Sequence, residues 1–123
     1  MSRALDVRGD DWKREVLEHD TLVVVDFWHE QCVWCVKLDP VYAEVSEGYE
    51  KRVKFAKLNV FESDSNRQIA VNYGIMSTPT LVFFCEGRPI GAVMGFQTRE
   101  QLKKLVDDMI QKHRQCVKQS TKI

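Results

Sequence analysis

Val23 to Leu38 reads VVVDFWHEQCVWCVKL. An apolar run broken by Asp26 leads into Cys32-Val33-Trp34-Cys35, and apolar residues at helical spacing follow at once. The first part therefore reads as a buried strand and the last as a helix. The two cysteines stand where a strand leaves a sheet and a helix begins, the place where open α/β sheets put their reactive groups. That location favours chemistry over packing alone.

The strand extends over Thr21 to Trp28, nearly all apolar, β-branched or aromatic, as expected of a central strand covered on both faces by helices. After Val33 the positions Val36, Leu38, Val41, Tyr42, Val45 and Tyr49 keep helical spacing to about Gly48, with Pro40 predicting a kink. Upstream, Leu5 to Val7 is a short first segment, and Gly9-Asp10-Asp11 supplies a turn and cap for a helix over Asp11 to Glu18. Downstream, Val53 to Val60 is a strand, Phe61 to Asn66 a connection rich in capping residues, and a short helix ends near Tyr73-Gly74. Thr80 to Cys85 and Ile90 to Met94 form a hairpin across Glu86-Gly87-Arg88-Pro89, and strands joined so tightly must be antiparallel. Thr98 to Gln101 has capping-box form, and Leu102, Leu105, Val106, Met109 and Ile110 complete an amphipathic helical stripe.

A chain of 123 residues supports one sizeable core. The expected organisation is a single domain over residues 1–114, with the polar, basic stretch 115–123 fraying as a tail. Eighteen basic and eighteen acidic side chains cancel, so no global field draws nucleic acid or an acidic membrane surface. The opening residues lack an apolar stretch of signal-peptide length, and no run reaches membrane-spanning length; a cytoplasmic monomer is expected. In a reducing compartment four cysteines argue against two structural staples. Cys32 and Cys35 read as a pair, Cys85 as a small core hydrophobe and Cys116 as a surface thiol.

The element order βαβαβαββα implies a mixed sheet of about five strands flanked by about four helices. In this order the chain resembles the thioredoxin family, from about Asp10 to Ile110. The resemblance rests on VDFW before the cysteines, the Cys-x-x-Cys pair, Pro40, Ala56 to Asn59 (AKLN), Gly74-Ile75, Thr78-Pro79-Thr80, Gly87 in the hairpin and Gly95. It implies a thioredoxin fold and a thiol:disulfide oxidoreductase with no bound cofactor. Its partners would be disulfide-containing proteins and an upstream disulfide reductase.

The chemistry follows from the position of the pair. A thiolate attacks disulfides, and a helix N-terminus stabilises one through its unpaired N–H groups and dipole, which favours Cys32. A fall in thiol pKa from about 8.5 to about 7, for which thioredoxin is itself a standard example, raises the thiolate fraction at neutral pH roughly 15-fold while intrinsic nucleophilicity drops about 5-fold. The larger benefit is that the same sulfur leaves readily when Cys35, one turn on, attacks the mixed disulfide. The alternative for the pair is half of a zinc or iron–sulfur site, but such sites draw three or four Cys or His ligands and only His29 is near in sequence.

Asp26 in an apolar strand predicts a raised pKa and a carboxyl able to take up and return the Cys35 proton. Lys57 shares a strand face with Val53 and Phe55, which would turn it inward toward Asp26. The resemblance implies that both assist this proton transfer; the alternative is a structural buried ion pair. It also implies that Pro79 is cis, faces the disulfide, and leaves the Thr78 backbone to pair with an extended substrate, against an ordinary trans loop proline. Trp28, Val33, Trp34 and Gly95 complete the expected substrate-binding set, with plain packing as the alternative for Trp28 and Trp34.

The family commonly has Trp-Cys-Gly-Pro-Cys where this chain has Gln31-Cys32-Val33-Trp34-Cys35, so the aromatic has moved inside the pair. Replacing Gly-Pro alters the rigidity of the first helical turn, and about 1.4 kcal/mol already corresponds to about 30 mV in a two-electron potential. Cys85 and Cys116 are a further departure from the pattern. Other readings are a reductase, oxidase or isomerase specialised for one partner, or a thioredoxin-fold adaptor with non-essential cysteines.

Overall fold

Seven consecutive residues, Leu22 to Trp28, form the centre of the molecule, and the first six are buried. The computed structural model describes residues 4–120. Its elements are β1 (Leu5–Asp6), β2 (Leu22–Trp28), α1 (Val33–Glu47), β3 (Val53–Asn59), α2 (Asp64–Asn72), β4 (Thr80–Cys85), β5 (Arg88–Met94) and α3 (Arg99–Ser120). The strands lie in the order β1-β3-β2-β4-β5. β3 runs parallel to β1 and β2, while β4 is antiparallel to β2 and β5. This is the mixed α/β sheet expected of a thioredoxin fold.

Strand alternation divides the core in two. Leu22 and Val24 of β2 join Leu38, Tyr42 and Val45 of α1 and Leu102 and Val106 of α3 on one face. Val23, Val25 and Phe27 join Trp12, Val16 and Ala70 on the other. Burying each Phe, Leu or Val contributes about 1.5–3 kcal/mol, so the two clusters hold the helices to the sheet. Tyr42 satisfies its phenol inside the core by donating to the carbonyls of Val24 (3.1 Å) and Ala56 (2.7 Å).

Two capping arrangements fix the shorter elements. Ser63 caps α2 by accepting from the Asn66 amide at 3.1 Å. The buried Asn66 side chain accepts from Gly9 N–H at 2.8 Å and donates to the Asn59 carbonyl at 2.9 Å, tying the N-terminal segment to the end of β3. The Asp11–Glu18 helix expected from sequence is instead a 3-10 turn, Gly9–Asp11, followed by one wide π turn, Lys13–Leu17, closed by Glu18 N–H to the Lys13 carbonyl at 2.9 Å. Trp12 and Val16 are nevertheless buried, so the apolar spacing set the buried face and left the turn type open.

The hairpin is tighter than the four-residue turn expected from sequence. Glu86 and Gly87 alone make it, both at positive φ (49° and 82°), and a Cβ on Gly87 would meet the Leu17 carbonyl at 2.9 Å. Arg88 and Pro89 belong to β5, with an irregularity in register between Phe83 and Phe84. α1 continues through Pro40, whose missing N–H leaves the Val36 carbonyl without its intrahelical donor.

At the C-terminal end the structure departs from several expectations. Residues 115–120 are helical, because α3 continues to Ser120, and residues 121–123 of the expected tail lie outside the described residues. Cys116 is buried, not a surface thiol, and forms a disulfide with Cys85, so Cys85 is not merely a core hydrophobe. The four cysteines therefore make two disulfides, against the expectation drawn from a reducing compartment. The physical reason is the length of α3: Gln111 to Val117 contains no helix breaker, and Cys116 falls seven residues after Met109 on the buried stripe. Among the described residues no helix is long and apolar enough to cross a membrane.

Candidate active site

Parallel strands β2 and β3 end together, and β2 delivers the chain through His29–Gln31 to α1. Cys32 is the N-cap of α1, extended at φ −86° and ψ 108°. Its Sγ accepts from the Cys35 N–H at 3.2 Å, so the sulfur takes the part that a Ser or Asp oxygen plays at most helix starts. Cys32 and Cys35 are disulfide-bonded here, with Cα atoms 5.2 Å apart. Cys32 is partly exposed and Cys35 is buried at 2 %. An attacker from solvent therefore meets Cys32 first.

Across from the pair, the Thr78–Pro79 peptide bond is cis and the Thr78 carbonyl lies 3.4 Å from Cys32 Sγ. The Pro79 carbonyl accepts from Gly95 N–H at 2.8 Å, and Gly95 holds φ +92°, a conformation open to glycine. Gly95, distant in sequence, is thus tied to the Thr78–Pro79 segment whose Thr78 carbonyl lies beside the sulfur.

Asp26 pairs with Lys57 across β2 and β3 and with Leu81 across β2 and β4. By alternation its side chain shares the face of Leu22 and Val24, beneath α1. The residue is 1 % exposed, and neither carboxyl oxygen has a hydrogen-bond partner. Burial pushes its pKa up to about 7, the Lys57 ammonium pulls it down less, and Asp39 adds to the rise. Lys57 stands on this same face, in register with Asp26, and acts on the carboxyl through its charge without hydrogen-bonding it. It forms an ion pair with Asp39 of α1 and stands 4.4 Å over the Trp28 ring. Trp28 is half-buried, and its indole N–H has no partner.

Val33 and Trp34, the two residues inside the pair, are exposed. Trp34 lies against Phe96, ring centroids 5.7 Å apart, with the Lys37 ammonium 4.9 Å from its ring. Thr78 also borders a groove of about 500 Å³ lined by His29, Phe61, Val71, Ile75 and Met76. Sequence reasoning missed this groove and Asp39. His29 and Phe61 meet with tilted rings, centroids 4.7 Å apart, across loops that follow different strands, a contact no local pattern encodes. The described residues hold no cluster of three or more His, Cys, Asp or Glu that could bind a metal.

Comparison with known proteins points the same way. The family model described as Thioredoxin matches residues 3–108. A thioredoxin of Alicyclobacillus acidocaldarius is 39% identical over 98 residues, 80% of this chain and 90% of the relative. Thioredoxin 1 of Nostoc sp. is 37% identical over 107 residues, 87% of this chain and 97% of the relative. A thioredoxin of Rickettsia felis is 36% identical over 107 residues, covering 87% and 99%.

Proposed function

The chain belongs to the thioredoxin family and is a thiol:disulfide oxidoreductase whose redox centre is its cysteine pair, and from that premise we propose that Cys32 is the attacking sulfur and Cys35 the resolving one. The observation that carries the assignment is Cys32 Sγ at the N-cap of α1, accepting an amide hydrogen, with Cys35 buried one turn inside. Those partial positive charges stabilise a thiolate at Cys32 in the reduced protein.

The Cys32 thiolate attacks one sulfur of a protein disulfide, forming a mixed disulfide and releasing the other sulfur with its electron pair. Cys35 then gives its proton to the Asp26 carboxylate and attacks Cys32 Sγ. The mixed disulfide breaks, the substrate leaves as a second thiolate, and the Cys32–Cys35 bond forms. Two electrons have passed to the substrate. A carboxyl held near neutrality suits this exchange, because a base works best when its pKa lies near the operating pH.

Trp28, Val33, Trp34, Thr78, Pro79 and Gly95 form the substrate-binding rim, with the Thr78 backbone pairing to an extended segment of the target. Disulfide-containing proteins are the substrates, an upstream disulfide reductase restores the dithiol, and the protein acts as a cytoplasmic monomer.

Cys35→Ser tests the assignment. Incubated with a disulfide peptide, the variant should accumulate a mixed disulfide at Cys32, read by mass spectrometry of the digested adduct. Adducts on Cys85 or Cys116, with Cys32 unmodified, would overturn it.

A further inference from the structure

The Lys57 ammonium has two carboxylates within its region of the fold, and it binds the one that the reaction does not use. It pairs with Asp39, in the second turn of α1 and four residues beyond Cys35, and is steadied by the Trp28 ring. Asp26, its register neighbour on β2, keeps both oxygens without a hydrogen bond. We propose that Asp39 is a positioning residue for the resolving step: by holding the Lys57 ammonium it keeps that cation off Asp26, so that Asp26 stays available to take the proton of Cys35. The proposal rests on the reading of Asp26 as the acceptor for Cys35.

The surroundings leave Lys57 as the group that decides. β4 presents Leu81 to Asp26, and α3 brings Leu102 and Val106 to this face of the sheet. Tyr42 of α1 is committed to two main-chain carbonyls, and burial drives its pKa upward, so it stays neutral. The charges that bear on Asp26 are Lys57, which favours its ionised form, and Asp39, which opposes it. Freed from Asp39, a flexible ammonium in register with an unpartnered buried carboxylate has one obvious new partner. A cation paired directly with a carboxylate lowers its pKa by about 1–3 units and makes it a weaker base. Asp39 is half exposed, so it can hold Lys57 without carrying the full cost of a buried charge.

The test follows the Asp26 carboxyl carbon by NMR titration of the oxidised protein, alongside the pH profile of resolution from a preformed Cys32 mixed disulfide. Asp39→Asn should lower the Asp26 midpoint by about 1 pH unit or more and move the resolution profile down with it. Asp39→Glu should restore both. An unchanged midpoint in Asp39→Asn would overturn the proposal. So would an equal fall in a Lys57→Met background, since Asp39 would then act by its own charge and not through Lys57. Failure of the underlying reading has a separate signature: Asp26→Asn would leave the resolution rate unchanged. A merely structural role for Asp39 would move the melting temperature and not the midpoint.

Discussion

Cys85, the last residue of β4, is bonded to Cys116 of α3, with their Cα atoms 6.6 Å apart. β4 runs antiparallel to β2, so Thr80 stands at the active-site end and Cys85 about 17 Å away at the other pole. The two disulfides are therefore separate in space. Cys32 and Cys35 exchange with substrates, while Cys85–Cys116 fastens the distal part of α3 to the sheet.

Cys116→Ala should destabilise the oxidised protein. Closing a loop with a sequence separation of 31 residues removes denatured-chain entropy worth about 3–4 kcal/mol in the loop-closure treatment. Urea unfolding of oxidised wild type and variant measures the difference. Equal midpoints would show that the bond adds nothing to the helix packing, and turnover of a small disulfide should be unaffected by the change.

Asp26→Asn should stabilise the fold at the expense of the resolving step. The carboxyl has a folded pKa near 7, above its ordinary value of 3.8, so the folded state holds this proton more tightly than the unfolded one. Its contribution is without penalty below about pH 4 and becomes steadily less favourable as pH rises to 7, where the cost levels off at about 4 kcal/mol. The variant should gain up to that amount at pH 8 and almost nothing at pH 4. Denaturation at the two pH values checks the sign, and a gain that is larger at pH 4 would contradict it.

Much of this architecture is legible from period alone. The six buried residues of β2 form an apolar run broken only by Asp26, and the α3 stripe repeats every three or four residues, so both elements declare themselves. Cys32 as helix cap follows from where the strand pattern ends and the helical one begins. The Asp39–Lys57 pair joins a helix to a strand 18 residues on and depends on the rotation of α1 over the sheet, which no local pattern fixes. Cys85–Cys116 is intermediate. The stripe that places Leu102, Val106 and Met109 inward also reaches Cys116, but only if the helix continues, and the polar, basic composition of the stretch 115–123 argues for a tail instead.

Trp34 is the residue that most changes the face offered to a partner. It is 55% exposed, and with the exposed Val33 it occupies the turn between the partly exposed Cys32 and the buried Cys35. Its contact with Phe96 and with the Lys37 ammonium fixes the indole at the rim. Apolar surface of this kind around a reactive group serves docking, and aromatic anchors there cost about 1–3 kcal/mol when truncated, or about 5- to 150-fold in affinity. A small disulfide reaches the sulfur without covering the indole. Trp34→Ala should therefore lower kcat/KM for a protein disulfide by that factor while oxidised glutathione loses far less. Alkylation of reduced Cys32 by iodoacetamide should proceed at nearly the same rate, because the helix N-terminus that stabilises its thiolate is untouched. Equal losses with both substrates, accompanied by a fall in Tm, would assign the indole to packing against Phe96. Loss with the protein substrate alone makes Trp34 a determinant of which disulfides this active site reduces.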